Sequence, residues 1–128
     1  MIVDSSTIIA ILLKEPGYER LMAALGAAQV VGIGAPTLVE TGIVLTARLG
    51  PAGMSILGRF VQESGAVVVP FGDAHWQTAV DAFDRFGKGR HPAALNFGDC
   101  LSYATSMMTG QPLLAVGQDF PLTDLQLA

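Results

Sequence analysis

The sequence predicts an α/β fold in which a short, mainly parallel sheet is covered on both faces by helices. Short aliphatic runs bounded by turn residues alternate with longer segments of helical periodicity along the 128 residues. The chain is 51% hydrophobic and only 14% charged, which supplies enough apolar material for a buried sheet. It contains neither an internal repeat nor a linker. We therefore expect one domain that spans residues 1–128.

The first half of the chain is predicted to hold two strands and four helices. Residues 1–4 and 30–33 are short apolar runs of the kind found in buried strands. Helical periodicity marks four segments: 8–14, 18–28, 36–49 and 54–64. Turn residues separate them, with Pro16 and Gly17 after the first and Gly50 and Pro51 after the third.

The second half of the chain is predicted to hold the remaining strands and two further helices. The valine run 67–69, stopped by Pro70, is the clearest strand, and 113–116 and 122–127 are two further candidates. Helices are expected at 73–86 and from an N-cap at Asn96 to Gly110. A stripe at i, i+3, i+4 and i+7 on the first of them is typical of a core-facing surface rather than a base-stacking platform. The stripe consists of Trp76, Ala79, Val80 and Phe83.

Composition excludes several classes of protein. The longest apolar run, 66–71, is too short to span a membrane, and an acid at position 4 leaves no room for a signal peptide, so we expect a cytoplasmic location. One cysteine allows neither an intramolecular disulfide nor a thiolate zinc site, and the two histidines lack metal-ligand spacing. The net charge of −4 disfavours non-specific attraction to nucleic acid. A nucleic-acid partner would need a local basic patch and a metal ion.

Several acids stand in apolar surroundings, where an isolated ionised carboxylate is costly. They are Asp4, Glu40, Asp99 and Asp119. Each has a simpler structural interpretation as well. Asp4 can cap the helix that follows it, Glu40 can be solvated, and Asp99 can close a capping box with Asn96. Asp119 and the nearby Asp124 can be turn residues.

If the acids converge, their charge indicates a particular chemistry. Two carboxylates about 4 Å apart repel by about 4 kcal/mol at an effective dielectric constant of about 20, so a cluster needs a cation or protons. Ligands that are all oxygen favour Mg²⁺ or Mn²⁺ over zinc. Such an ion can activate water and neutralise charge on a phosphodiester. The pattern therefore favours metal-dependent phosphodiester hydrolysis.

A cluster of basic residues immediately precedes Asp99. Its members, within seven positions, are Arg85, Lys88, Arg90 and His91. A charged loop is usually only solvated. Because the whole chain has only seven Lys and Arg residues, this segment is nevertheless the best candidate for a phosphate-binding patch.

Four stretches together resemble a PIN-domain protein and, more narrowly, a VapC-type toxin ribonuclease of a bacterial toxin–antitoxin module. They are residues 2–6, Glu40, residues 87–100, and residues 113–120 with Thr123 and Asp124. The likeness follows the whole chain in order. It implies a PIN-like three-layer α/β/α sandwich and Mg²⁺- or Mn²⁺-dependent endoribonuclease activity. It also implies a VapB-type antitoxin partner and self-association as a homodimer.

The same resemblance assigns roles to individual residues. It makes Asp4 and Asp99 the principal metal ligands, with Glu40 and Asp119 completing the catalytic set of acids. Ser6 is expected in the second coordination shell, and Asp124 either shares that position or exchanges roles with Asp119. One departure concerns residues 115–117, where Ala-Val-Gly lacks a lysine that family members often carry. This departure bears on the choice of substrate more than on the metal site.

Three other functions stay open on sequence grounds. A PIN fold can serve as a non-catalytic binding module, although retention of four acids argues against it. A DNA-directed metallonuclease would use the same acids. A receiver-like phosphoacceptor domain also gathers acids at strand ends, but it needs a lysine where Val116 stands.

Overall fold

The computed structural model describes all 128 residues and has a four-stranded parallel sheet at its centre. The strands are β1 (Ile2–Val3), β2 (Gly32–Gly34), β3 (Val67–Val69) and β4 (Leu113–Leu114). Their order across the sheet is β3-β2-β1-β4, so the first strand lies inside the sheet. Ile2 is in register with Gly32 on one side and with Leu113 on the other. The predicted parallel sheet is confirmed.

Six helices surround the sheet: α1 (Ser5–Leu12), α2 (Tyr18–Ala27), α3 (Ala35–Leu49), α4 (Ala52–Ser64), α5 (Asp73–Phe86) and α6 (Phe97–Thr109). Successive side chains of a strand point to opposite faces of the sheet, and the two residues of β1 follow this rule. Ile2 packs in a core that includes residues of α5 and α6, whereas Val3 packs in a second core with residues of α1, α3 and α4. Two cores on opposite faces confirm the three-layer α/β/α architecture. No helix has the length and apolarity that a membrane span requires.

The ends of the chain differ most from expectation. α1 begins at Ser5, three residues before the predicted start, because Asp4 caps it. The predicted strand at 122–127 is wrong. Phe120–Leu122 forms a short 3₁₀ helix, and only an isolated bridge joins Leu127 to Leu113. Pro121, which lacks an N–H, stands in this turn and favours helical over strand geometry there.

The apolar stripe on α5 is not core, contrary to the prediction. Trp76, Val80 and Phe83 are 52%, 60% and 42% exposed, whereas Ala79 is buried. The physical reason is the close packing of α5 on α6, which uses the small side chains of Ala79 and Ala82 and leaves the large ones outside. Helical periodicity correctly predicted an apolar face, but not that it would lie open in this chain.

Candidate active site

Asp4 is 3% exposed and is held entirely by neutral donors. It follows β1 and caps α1, so that Oδ2 accepts a 3.0 Å hydrogen bond from the amide of Ser6 and a 2.6 Å bond from its hydroxyl. On the other side, Oδ1 accepts a 2.6 Å bond from the hydroxyl of Ser102. The cap predicted for Asp4 exists, and it fixes the orientation of the carboxylate without supplying a cation.

Two hydroxyl side chains connect Asp4 to the rest of the fold. The Ser6 hydroxyl accepts a 3.0 Å bond from the backbone N–H of Val116, which ties the start of α1 to the segment after β4. The Ser102 hydroxyl, on α6, also lies 3.3 Å from that of buried Thr37 on α3. Sequence reasoning predicted Ser6 as a neighbour of the site and missed Ser102. A small hydroxyl residue one helical turn after Asp99 was the available signal.

Asp99 sits in the first turn of α6, inside the predicted capping box. Its amide donates a 2.9 Å bond to Asn96 Oδ1, and its Oδ2 accepts a 3.0 Å bond from the Asn96 amide. Burial, together with the negative charges of Asp4, Asp119 and Glu40, raises the pKa of Asp99 to about 6, even though the hydrogen bond from the Asn96 amide lowers it. Asp99 therefore lies within the electrostatic influence of the other three predicted acids.

Glu40 reaches this environment because residue 98 is a glycine. A Cβ atom at Gly98 would lie 2.7 Å from the carboxyl carbon of Glu40 and 3.0 Å from its Oε1. Real Cβ atoms essentially never approach another atom as closely as 2.7 Å, so any side chain at 98 would displace the carboxylate. The half-buried Glu40 therefore rests against the backbone of α6, next to Asp99. Sequence reasoning did not assign a role to Gly98.

Asp119 and Asp124 occupy different environments. Asp119 is exposed at the start of the 3₁₀ helix, makes no capping hydrogen bond and contributes negative charge near Asp99. Asp124 instead accepts a 2.8 Å bond from Arg85 Nη2 and a 2.7 Å bond from the Tyr103 hydroxyl. Its partial burial would raise its pKa, but these two donors hold the pKa of Asp124 below its usual range. This arrangement favours Asp119 as the fourth acid.

The predicted basic cluster is largely engaged in other contacts. Arg85 pairs with Asp124, and Arg90 Nη1 lies 2.9 Å from Asp84 Oδ1. His91 Nδ1 accepts a 3.1 Å bond from the amide of Ala93. Lys88 is exposed and forms no ion pair. The structure thus leaves Lys88 as the one member of the cluster with an uncommitted charge.

The side chains present fit a hard divalent cation in their chemistry. The four acids offer oxygen ligands only, and no cation contributes to the pKa of Asp99. No three Asp, Glu, His or Cys side chains come close enough together to form a complete metal-binding group. Hard divalent cations bind such oxygen ligands and can complete their coordination with water.

Comparison with protein families and curated proteins places this site in context. Residues 1–125 match the model of the PIN domain. Ribonuclease VapC36 of Mycobacterium tuberculosis is 50% identical over 127 residues, which cover 98% of this chain and 91% of that protein. Ribonuclease VapC28 of the same organism is 42% identical over 129 positions, with 100% and 97% coverage. Ribonuclease VapC of Mycolicibacterium smegmatis is 38% identical over 125 residues, with 98% and 97% coverage.

Solved structures with low sequence identity share the fold. The crystal structure of Mycobacterium tuberculosis VapC20, described as a sarcin-ricin loop cleaving toxin, matches with a TM-score of 0.79 at 20% identity. The match covers 99% of this chain and 97% of the VapC20 chain. VapBC2 from Rickettsia felis, bound to a promoter DNA fragment, has a TM-score of 0.75 at 14% identity, with 99% and 96% coverage. At these identities the likeness concerns the fold alone.

Proposed function

The chain belongs to the PIN-domain family, among the VapC ribonucleases, and from this we propose that it is an endoribonuclease toxin that hydrolyses RNA phosphodiester bonds with a bound divalent metal ion. Ribonucleases of this family generally depend on a divalent metal. The observation that carries the proposal is the group of acids around Asp99, whose pKa rises to about 6 through burial and through repulsion from Asp4, Asp119 and Glu40. Charge of one sign in a half-buried site requires a cation or protons.

We assign the roles of the four acids as follows. Asp4 and Asp99 hold the ion, which we propose to be Mg²⁺ or Mn²⁺ because every ligand is oxygen. Glu40 and Asp119 complete the catalytic acids, either directly or through water. When bound, the ion would neutralise charge on the phosphate and promote deprotonation of the attacking water.

Hydrogen bonds within the chain orient the two proposed metal ligands, Asp4 and Asp99. Ser6 and Ser102 each donate a hydrogen bond to one oxygen of Asp4, which fixes the orientation of the carboxylate. The capping box fixes Asp99 in the same way. A pKa of about 6 leaves Asp99 mostly ionised at pH 7 and above, where it can bind a cation, whereas protons compete with the metal below that pH.

RNA contacts are proposed for the segment that precedes Asp99. Lys88 is the first candidate because its ammonium group is exposed and unpaired. Arg90 is the second, although it would exchange Asp84 for a phosphate. Arg85 and His91 would also have to give up a partner that each already has, Asp124 and the Ala93 amide.

We further propose that a VapB-type antitoxin inhibits the site, that the chain forms a homodimer and that it acts in the cytoplasm. The support for an antitoxin is membership of the VapC ribonucleases together with the likeness to VapBC2 of Rickettsia felis. Copurification with the antitoxin would test the partnership, and the mass of the antitoxin-free protein in solution would test the dimer.

The decisive experiment compares RNA cleavage by the antitoxin-free chain with that of two variants, Asp99→Asn and Asp4→Asn, prepared identically. We expect cleavage by the wild type with Mn²⁺ or Mg²⁺, none with EDTA, and a loss of at least about 100-fold in each variant, because removal of a metal ligand exceeds the usual effect of its supporting contacts. Equal cleavage by all three proteins would identify a contaminant. Cleavage of DNA alone would establish a DNA nuclease, and antitoxin binding without any cleavage would establish a binding module.

A further inference from the structure

Asp119 lies in a segment that has few contacts of its own. Between the end of β4 at Leu114 and the 3₁₀ helix, residues 115–118 make one hydrogen bond, from the amide of Val116 to the Ser6 hydroxyl. Gly117 in this stretch has a φ of +108°, a backbone conformation that residues with a side chain rarely adopt. The position of Asp119 therefore depends on what holds the chain on its other side.

The chain after Asp119 is held at two points. The first is Phe120, which is buried in the core beside α5 and α6. The second is Asp124, whose two oxygens are bound by Arg85 of α5 at 2.8 Å and by the hydroxyl of Tyr103 of α6 at 2.7 Å. Arg85 Nη1 also lies 3.3 Å from the Tyr103 hydroxyl, so the three side chains form a closed triangle.

The turn transmits this anchoring to Asp119. The Thr123 hydroxyl donates a 2.7 Å bond to the carbonyl of Phe120 and accepts a 3.2 Å bond from the amide of Leu125. The amide of Leu122 donates to the carbonyl of Asp119 at 3.2 Å. These bonds overlap along residues 119–125, so the turn that contains both Asp119 and Asp124 is held together locally.

We propose that Arg85, Tyr103 and Asp124 are positioning residues that hold Asp119 toward the other three acids. This inference rests on the proposed function and extends it to two residues, Arg85 and Tyr103, that fix the turn beside the site. For Arg85 it replaces the RNA contact considered above, because the guanidinium group is bound to Asp124. Arg85 and Asp124 are each 44% exposed, and ion pairs of that exposure contribute little to stability. The three side chains connect α5, α6 and the turn after β4 through specific contacts, which suits them to fixing the geometry of the turn.

The first test is the variant Asp124→Asn. The amide oxygen of the asparagine can still accept a hydrogen bond from the Tyr103 hydroxyl, but its NH₂ group then faces the guanidinium group of Arg85. We expect cleavage to fall about 10-fold and the affinity for Mn²⁺, measured by titration without RNA, to weaken, as is typical when an outer-shell partner is lost. Glu63→Gln is the control, because it removes an exposed ion pair with Arg59 on α4, away from the turn. It should match the wild type.

A double-mutant cycle separates positioning of Asp119 from a general structural effect. If Asp124 acts through Asp119, then Asp124→Asn should add almost nothing to the loss that Asp119→Asn already causes. Independent, multiplicative losses would overturn the proposal, as would wild-type cleavage and Mn²⁺ affinity in Asp124→Asn.

Hydrogen exchange tests the same inference without RNA cleavage. In the metal-free full chain, the amides of Leu122 and Thr123 should exchange faster in Asp124→Asn than in the wild type, and not in Glu63→Gln. Unchanged exchange in Asp124→Asn would overturn the proposal. Failure of the proposed function would appear differently, as absence of metal-dependent cleavage by the wild type, and would leave the exchange result interpretable.

Discussion

Acidic residues inside and outside the candidate site are stabilised in different ways. Of the seven acids outside it, four pair with an arginine: Asp81, Asp84, Asp124 and Glu63. Inside it, the acids pair with no cation. Asp4 is held by serine hydroxyls and one amide, and Asp99 by an amide. The chain has only seven Lys and Arg residues, and none of its ion pairs includes a site acid.

This difference shows how a fold can keep negative charge available. Neutral donors fix the direction of a carboxylate but leave its charge uncompensated, whereas an arginine would neutralise it. The cost is visible in the pKa of Asp99, which burial and the neighbouring acids raise to about 6. The site acids therefore keep a negative charge that no basic side chain of the protein compensates.

The largest effect that would test this contrast is expected from Gly98→Ala. The new Cβ would overlap the carboxylate of Glu40, whose flexible side chain can move away, so the protein should fold while one acid leaves the group. We expect RNA cleavage to fall about 10- to 100-fold, measured with saturating Mn²⁺. Gly26→Ala is the matched control, because it is also helical and its Cβ would meet nothing within 4 Å. Equal activity of the two variants would show that the position of Glu40 does not matter.

A smaller effect is expected from Ser102→Ala, which removes the donor to Asp4 Oδ1. Asp4 would keep its charge and lose part of its orientation, so cleavage should fall about 10-fold. Ser106→Ala is a close control on the same helix, since this equally buried hydroxyl donates to the carbonyl of Gln111 instead. Both variants should lose stability, by about 1–3 kcal/mol, as buried hydrogen bonds are removed. Parallel losses of activity would mean that Ser102 has only a structural role.

Local features of the site were predictable, and distant ones were not. The cap at Asp4 and the capping box of Asn96 and Asp99 each span four residues or fewer, so their hydrogen bonds follow from the sequence pattern. The convergence of Glu40 with these acids depends on sheet topology, for which the resemblance to a family was needed. The pairing of Arg85 with Asp124 joins residues 39 positions apart, and no local pattern indicates it.

The missed residues are small ones. Gly98 leaves room for the Glu40 carboxylate, and Ser102 donates a hydrogen bond to Asp4. Only the spacing of Ser102 from Asp99 marks it in the sequence, because neither residue type is unusual in a helix. The exposed stripe on α5 shows a further limit. Periodicity reports that Val80 and Phe83 share a face, but the depth of burial depends on which neighbouring side chains are small enough for close packing.

The basic side chains are also divided into unpaired and paired ones, and substituting them is expected to have a smaller effect on cleavage. Lys88 has no ion pair, whereas Arg90 is held by Asp84. We expect Lys88→Ala to raise the KM for RNA a few-fold and to reduce the slope of log affinity against log salt by about 0.7–1, as for one lost phosphate contact. Arg90→Ala should change the slope less, because binding RNA would require Arg90 to leave Asp84. A salt dependence identical to that of the wild type would exclude Lys88 from the RNA interface.

The smallest effect concerns stability, and its sign distinguishes a site acid from a paired one. The folded protein raises the pKa of Asp99 from 3.8 to about 6, so the stability of the metal-free protein is greatest when this group is protonated and falls as pH rises between those values. Asp99→Asn should therefore melt a few degrees higher than the wild type at pH 8 in EDTA and show little difference near pH 4. Asp84→Asn, which removes an exposed partner of Arg90, should melt at the wild-type temperature or slightly lower. If Asp99→Asn melted lower at both pH values, the cap that Asp99 provides would outweigh the repulsion among the four acids.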